Sequence, residues 1–462
     1  MKHSIADIRP GRTVELEIES LGFEGPGVAR LDNFVIFVPL ALPGDKIKAS
    51  ITKKKSNFAQ ARLVELLEPS RFRIGARCSH FGTCGGCKWQ NLEYLRQVEY
   101  KTRQVTETLQ HLGGFENPPV LPALPAPEPF YYRNKMEYSF STDSRGETIL
   151  GLHVAGSYDN VFDLEACFLQ SEISNQIVHK VKAFCRSEKL PVYDLKSHAG
   201  LLRFLVIKEA KNTGEMMVNI VTHQGEAGRL KILAEKLGRE FPRIKSVVRN
   251  VNSRKAQIAV GEKEELLAGR DYIQERLGGF SFRISANSFF QSNSVQAEAL
   301  CRLATEFAGA DKHQTVLDLY SGTGTISFFL AQKAKEIVGV ESNPAAVEDA
   351  RKNAELNQID NCRFVCSDAC DFISEIMSGG ERFDVVVADP PRSGLHPGLV
   401  KHLLKLLPPR IVYVSCNPST LARDLKILCQ KEYGLEKVQP VDMFPHTYHI
   451  ESVTLLVRKK SG

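Results

Sequence analysis

From about residue 285 onward the chain alternates strand and helix patterns, and this constrains the fold more than any other feature. Runs rich in Val, Ile and Leu stand at 316–319, 337–341, 362–365, 384–388 and 411–415, with helical stretches between them. Segments apolar at every position, not at every second one, are what strands buried on both faces require. The alternation predicts a doubly wound parallel sheet with helices on both faces. Two closing segments, Val438–Met443 and Ser452–Arg458, are expected to add edge strands. Sheets of this kind hold ligands outside the carboxyl ends of their strands. Three such ends carry polar chemistry: Glu341 after Val338-Gly339-Val340, Asp389-Pro390-Pro391-Arg392 after Val385–Ala388, and Cys416 after Ile411–Ser415. A free cysteine is ordinarily a small buried hydrophobe. The company at this edge makes Cys416 a candidate nucleophile beside a bound cofactor.

Upstream, the pattern changes twice. Residues 9–69 alternate apolar and charged positions in five short strands with Gly-rich turns, which suggests a small OB-like β-barrel. A basic run, Lys53-Lys54-Lys55, followed by Phe58, puts charge and an aromatic on one loop. That combination suits single-stranded nucleic acid, although a charge run alone is usually solvated surface. Residues 70–285 read as a largely antiparallel α+β domain, with strands near 135–140, 201–207, 216–221 and 257–260 and helices near 173–185 and 227–239. A helix at 92–112 leads into the proline-rich stretch 118–129, an expected stiff spacer. The last domain is placed at 286–462.

With 462 residues the chain has room for two or three cores, and its net charge of +6 admits a polyanionic partner without demanding one. No run of 18 apolar residues predicts a membrane span. Met1–Asp7 lacks the apolar core of a leader peptide, and eleven cysteines is an odd count. Both point to a cytoplasmic chain with reduced thiols. Three of those thiols, Cys78, Cys84 and Cys87, fall within ten residues around Gly85-Gly86, and Cys167 is the candidate fourth. Zinc or an iron–sulfur cluster could use such a set.

The cofactor is read from Leu317–Ser327. Strand, Gly-rich turn and helix follow one another there, and Glu341 closes the next strand where a carboxylate would take ribose hydroxyls. The third glycine of the dinucleotide fingerprint is replaced by Ser327, and the P-loop Lys is absent. A nucleoside without pyrophosphate, S-adenosylmethionine, fits this pattern best.

Taken together, Asn287–Gln291, Asp318–Gly322, Asp389–Arg392, Ser415–Pro418 and His449–Ser452 resemble the RNA uracil-5-methyltransferase family, over nearly the whole chain. The branch it most resembles acts on ribosomal RNA and carries a TRAM domain and a [4Fe-4S] cluster. The resemblance implies Cys416 as nucleophile and Glu451 as base. It further implies Gln291, Tyr320, Gly322, Glu341, Asp368 and Asp389 around S-adenosylmethionine, and Cys78, Cys84, Cys87 and Cys167 as cluster ligands. Ser321 departs from the Cys many relatives carry there, with no catalytic consequence expected. Phe289 or Phe290 would stack on the target base. The expected reaction is methylation of a uridine carbon 5, most of all in 23S ribosomal RNA, by a monomeric enzyme.

Competing readings are a transfer-RNA enzyme of the same type, a radical enzyme, and an RNA-binding protein with an inactive methyltransferase fold. The five-and-two spacing of Cys78, Cys84 and Cys87 argues against radical chemistry, and intact Cys416 and Glu451 argue against an inactive fold. Cys362, Cys366 and Cys370 are expected in core packing, and His446 and His449 along the substrate pocket.

Overall fold

The computed structural model describes residues 8–460; the Met1–Asp7 segment lies outside the described residues. Six strands, β1 (Thr13–Glu17), β2 (Ser20–Leu21), β3 (Gly27–Leu31), β4 (Phe34–Val38), β5 (Lys46–Lys54) and β6 (Phe58–Glu68), form the first sheet in the order β1-β5-β6-β4-β3-β2. It wraps a core of Ile8, Val14, Leu16, Ile18, Ile36 and Ile47. The one-in, one-out burial of β1 and β5 follows directly from their alternating sequence. The basic run does meet aromatics: Lys54 lies over Phe34 and Lys55 over Phe58.

After α1 (Tyr94–His111) come β7 (Lys135–Thr142), β8 (Thr148–His153), β9 (Val161–Asp163), α2 (Glu172–Ser187), β10 (Leu202–Glu209), β11 (Met216–Thr222), α3 (Gly228–Glu240), β12 (Ile244–Val251) and β13 (Lys263–Gly269). They build a seven-stranded sheet, antiparallel except for β11 beside β12. Residues 257–260, expected as a strand, form none; this segment lies over β10, where Ala259 packs on Phe204 and Val206. A hairpin, β14 (Tyr272–Leu277) and β15 (Phe280–Ser285), leads into the last layer.

That layer comprises α4 (Ser294–Ala308), β16 (Thr315–Leu319), α5 (Thr325–Ala331), β17 (Glu336–Glu341), α6 (Pro344–Leu356), β18 (Cys362–Cys366), α7 (Ala369–Gly379), β19 (Val385–Ala388), α8 (Pro397–Leu406), β20 (Arg410–Ser415), α9 (Pro418–Leu428), β21 (Tyr433–Val441) and β22 (Glu451–Arg458). Strand order is β18-β17-β16-β19-β20-β22-β21. The five parallel strands match the apolar runs to within a residue. β22 departs from expectation: it is no edge strand but inserts antiparallel between β20 and β21. Val453 and Leu456, three positions apart and so on opposite faces, are both fully buried in the two cores flanking the sheet, as a central position requires.

Helix α1 and the proline-rich stretch belong with this last core rather than with the middle sheet. Val105, Leu109 and Ala123 share its apolar cluster, and the proline stretch runs parallel to β21 through Val120 opposite Val438 and Leu124 opposite Val441. It is therefore a docked edge and not a free spacer. Lys101 of α1 forms a fully buried ion pair with Asp442 at 2.6 Å, and Tyr94 donates its hydroxyl to the same carboxylate. Replacing Lys101 by methionine strands that buried charge and should destabilise the fold by about 3 kcal/mol. The low end of the range is expected because Tyr94 still satisfies one oxygen. Urea unfolding measures this; an unchanged midpoint would refute it.

Candidate active site

The carboxyl edge of the last sheet gathers the reactive groups. β20 pairs with β22 so that Ser415 stands opposite Ser452. One residue further, Cys416 and Glu451 come to the same edge from opposite chain directions. Asp389 follows the end of β19, and Arg392 lies just beyond it. These four groups feel one another. Burial, then the charges of Glu451 and Asp389, push the Cys416 thiol up to about 11, while Arg392 pulls it down. Glu451 is buried, and burial plus the charge of Asp389 hold its carboxyl far above the usual carboxylate range.

Beside Cys416 opens a cavity of about 160 Å³, lined among others by Phe23, Glu24, Arg392, Tyr448 and His449. That is well below the roughly 300 Å³ at which pockets for drug-sized ligands begin, and suits one flat ring. His449 is kept neutral, lowered to about 4 by burial and the nearby cations. His446 does not line this cavity. It is buried against Phe130, and its backbone accepts the N–H groups of Lys88 and Trp89. A larger groove of about 800 Å³ beside α2 lies away from the strand edge and contains none of these groups.

On the other side of the edge, the turn after β16 prepares a binding surface. Tyr320, Gly322 and Gly324 all adopt positive φ. A Cβ built on Gly322 would meet nothing within 4 Å, so its backbone faces open space that a ligand can enter. The Gly322 N–H donates to Glu341 Oε2 at 3.2 Å, joining the turn to the end of β17. Burial, with repulsion from Glu341, brings the Asp318 carboxyl up to about 7; burial and Asp318 do the same for Asp389. Carboxylates poised near neutrality ionise when a cation arrives, which suits the positively charged sulfur of S-adenosylmethionine. Asp368 stands at the end of β18 and uses Oδ1 to cap α7.

The stretch carrying Gln291 is held from both sides. Asn134 donates to the Gln291 carbonyl at 2.7 Å, Lys208 to the Ser285 and Ser288 carbonyls, and Asn293 to the Met443 carbonyl. Phe290 is a core residue packed on Phe282, which removes it as a base-stacking candidate; Phe289 is 69% exposed. Cys362 and Cys370 pack against the cores on opposite sides of the sheet, so the three thiols do not converge, and Cys366 is exposed rather than in the core. Asn134, Lys208, Lys101 and Phe23 were not legible as site residues. Their partners lie tens to hundreds of positions away, and no local spacing marks them.

Cys78, Cys84, Cys87 and Cys167 are close neighbours. Burial pushes Cys87 up to about 12, and Cys167, Cys84 and Cys78 add to the shift. N–H groups aim at the sulfurs: Gly86 at Cys84 (3.4 Å) and Gln90 at Cys87 (3.2 Å). Leu169 and Gln170 lower Cys167 through their backbone N–H groups. Among the described residues no three Cys, His, Asp or Glu side chains close around a metal as they stand. The donor set nevertheless fits a thiolate-bound group.

Fold and site together define the class: a Rossmann-like methyltransferase joined to an RNA-binding module. The family model described as tRNA (Uracil-5-)-methyltransferase matches residues 131–459, and that of the TRAM domain residues 9–64. An uncharacterized RNA methyltransferase of Halalkalibacterium halodurans is 40% identical over 99% of this chain and 100% of its own length. One from Porphyromonas gingivalis is 41% identical over 96% and 99%. Among solved structures, the Pyrococcus abyssi tRNA (uracil-54, C5)-methyltransferase in complex with S-adenosyl-L-homocysteine superimposes with a TM-score of 0.77 at 32% identity, covering 96% of this chain and all of that one. The chain belongs to the S-adenosylmethionine-dependent RNA uracil-C5-methyltransferase family. No helix among the described residues is long and apolar enough to cross a membrane.

Proposed function

We propose that this chain methylates carbon 5 of a uridine in RNA, with Cys416 as nucleophile and Glu451 as base. The observation that carries it is the β20–β22 pairing, which brings this thiol and this carboxyl to one strand edge beside a ring-sized cavity. Bound S-adenosylmethionine supplies an electrophilic methyl group. Gln291, Tyr320, Gly322, Glu341, Asp368 and Asp389 would hold it. Cys416 adds as thiolate to carbon 6, and the ring electrons move to the carbon 4 oxygen, leaving carbon 5 nucleophilic. After methylation Glu451 removes the carbon 5 proton, the 5,6 double bond re-forms and the thiolate leaves. Only the ionised carboxylate of Glu451 can take that proton, and the raised pKa makes this carboxylate a stronger base than an exposed one. His449, neutral at the cavity wall, can hydrogen-bond the base.

The substrate is 23S ribosomal RNA by resemblance to the cluster-bearing branch. The Pyrococcus abyssi neighbour favours transfer RNA as the second reading. Offering 5-fluorouridine-substituted transcripts of each separates them: the true substrate should trap a covalent protein–RNA adduct with the cofactor present. If neither does, the reading fails.

The four cysteines are proposed as ligands of a [4Fe-4S] cluster. Anaerobic reconstitution with iron and sulfide should yield the broad visible absorbance of thiolate-bound iron, and Cys167→Ser should lose it. A parent protein that takes up no iron would sink this assignment. The division into 1–69, 70–285 and 286–462 is kept as a proposal, amended by the docking of α1 and the proline stretch on the last part. A monomer in the cytoplasm is the expected state.

A further inference from the structure

The loop between β2 and β3 of the N-terminal barrel lies far in sequence from Cys416, yet Phe23 and Glu24 line the same cavity. Phe23 is 54% exposed, a large apolar ring that belongs to neither the barrel core nor the cluster around Trp89. Its centroid lies 6.2 Å from that of Tyr448, which in turn lies 4.1 Å from His449. An aromatic run thus passes from the barrel loop across the cavity mouth to the cavity wall. The loop is held in place. The Gly25 carbonyl accepts the indole N–H of Trp89 at 3.0 Å, and a Cβ on Gly25, at φ 92°, would press on that nitrogen. Trp89 is fully buried, and its own backbone N–H donates to the His446 carbonyl. One residue therefore fixes the barrel loop and the segment leading to Glu451 in a single frame.

Resting on the uridine reading above, we infer that Phe23, with Tyr448, is a stacking platform for the nucleobase next to the target uridine. A target base entering a ring-sized cavity must leave its neighbours, and a neighbour that loses its stack gains by lying on an exposed aromatic face. Glu24 beside the ring disfavours a phosphate at this spot and leaves the base as the occupant. The barrel then acts in selecting the methylated position and not only as a distant tether.

The test uses the full chain and a short single-stranded RNA with one 5-fluorouridine, flanked on either side by 2-aminopurine. Stacking on Phe23 quenches the fluorescent base. Phe23→Ala and Phe23→Leu should relieve the quench on one side and raise the KM for the same RNA carrying an ordinary uridine about tenfold, as the loss of one stacked base implies. Phe23→Trp should restore both, and the Kd for S-adenosylhomocysteine and the Tm should not move. Equal quenching in the parent and Phe23→Ala overturns the proposal. Because fluorescence needs no turnover, it decides on Phe23 even if the parent traps no adduct, a result that would count against the uridine reading alone.

Discussion

Cys416→Ala is expected to abolish methylation and the fluorouridine adduct together, a loss on the order of 10⁴-fold or more in turnover. Removing the attacking atom of a covalent mechanism deletes the whole route and not a share of it. Binding of S-adenosylhomocysteine should survive, because the turn at Tyr320–Gly324 and Glu341 are untouched. The parent's pH profile provides an independent check. With the thiol pushed up to about 11, the thiolate is roughly one part in 10⁴ at pH 7. Adduct formation should then rise about tenfold per pH unit from 7 to 9. Arg392 lowers this thiol, so Arg392→Gln should displace the profile towards higher pH. A flat profile in the parent, or residual adduct in Cys416→Ala, would mean another nucleophile.

For Glu451→Gln the expected outcome is opposite in kind: the covalent complex persists. Glutamine fills the same space but accepts no proton, so the methylated adduct on ordinary uridine RNA cannot eliminate. Turnover should fall on the order of 10³-fold while a denaturing gel shows protein bound to unsubstituted RNA. Stability moves the other way. The Glu451 carboxyl is raised in the folded state, so its favourable contribution is present below the unfolded pKa and lost as pH rises through the folded one. Glutamine escapes that loss, and at pH 8 the variant should melt no lower than the parent. Release of 5-methyluridine at the parental rate would refute the role given to Glu451.

Much of the last sheet was legible because strands buried on both faces write themselves as unbroken apolar runs, as Ile411–Val414 does. The turn at Asp318–Gly324 and the ends at Glu341, Asp389 and Cys416 could be placed on one edge because parallel strands all finish there. The middle sheet was less readable. Its β8, β9, β12 and β13 were not recognised, nor was the β14–β15 hairpin, and 257–260 offers β10 a single buried apolar residue, Ala259, which a strand and an irregular cover satisfy equally well.

The sequence alone determined that Glu341, Asp389 and Cys416 follow parallel strands to the carboxyl edge, since local periodicity sets strand ends and strand ends set direction. What it left undecided was partnership. Whether β22 runs along an edge or between β20 and β21 depends on backbone pairing over distances no window of sequence spans. So does the arrival of Phe23 from another sheet, and the burial of Phe290 beside an exposed Phe289. The tertiary structure decided these, because burying the final apolar strand and pairing Lys101 with Asp442 are satisfied only when distant segments meet.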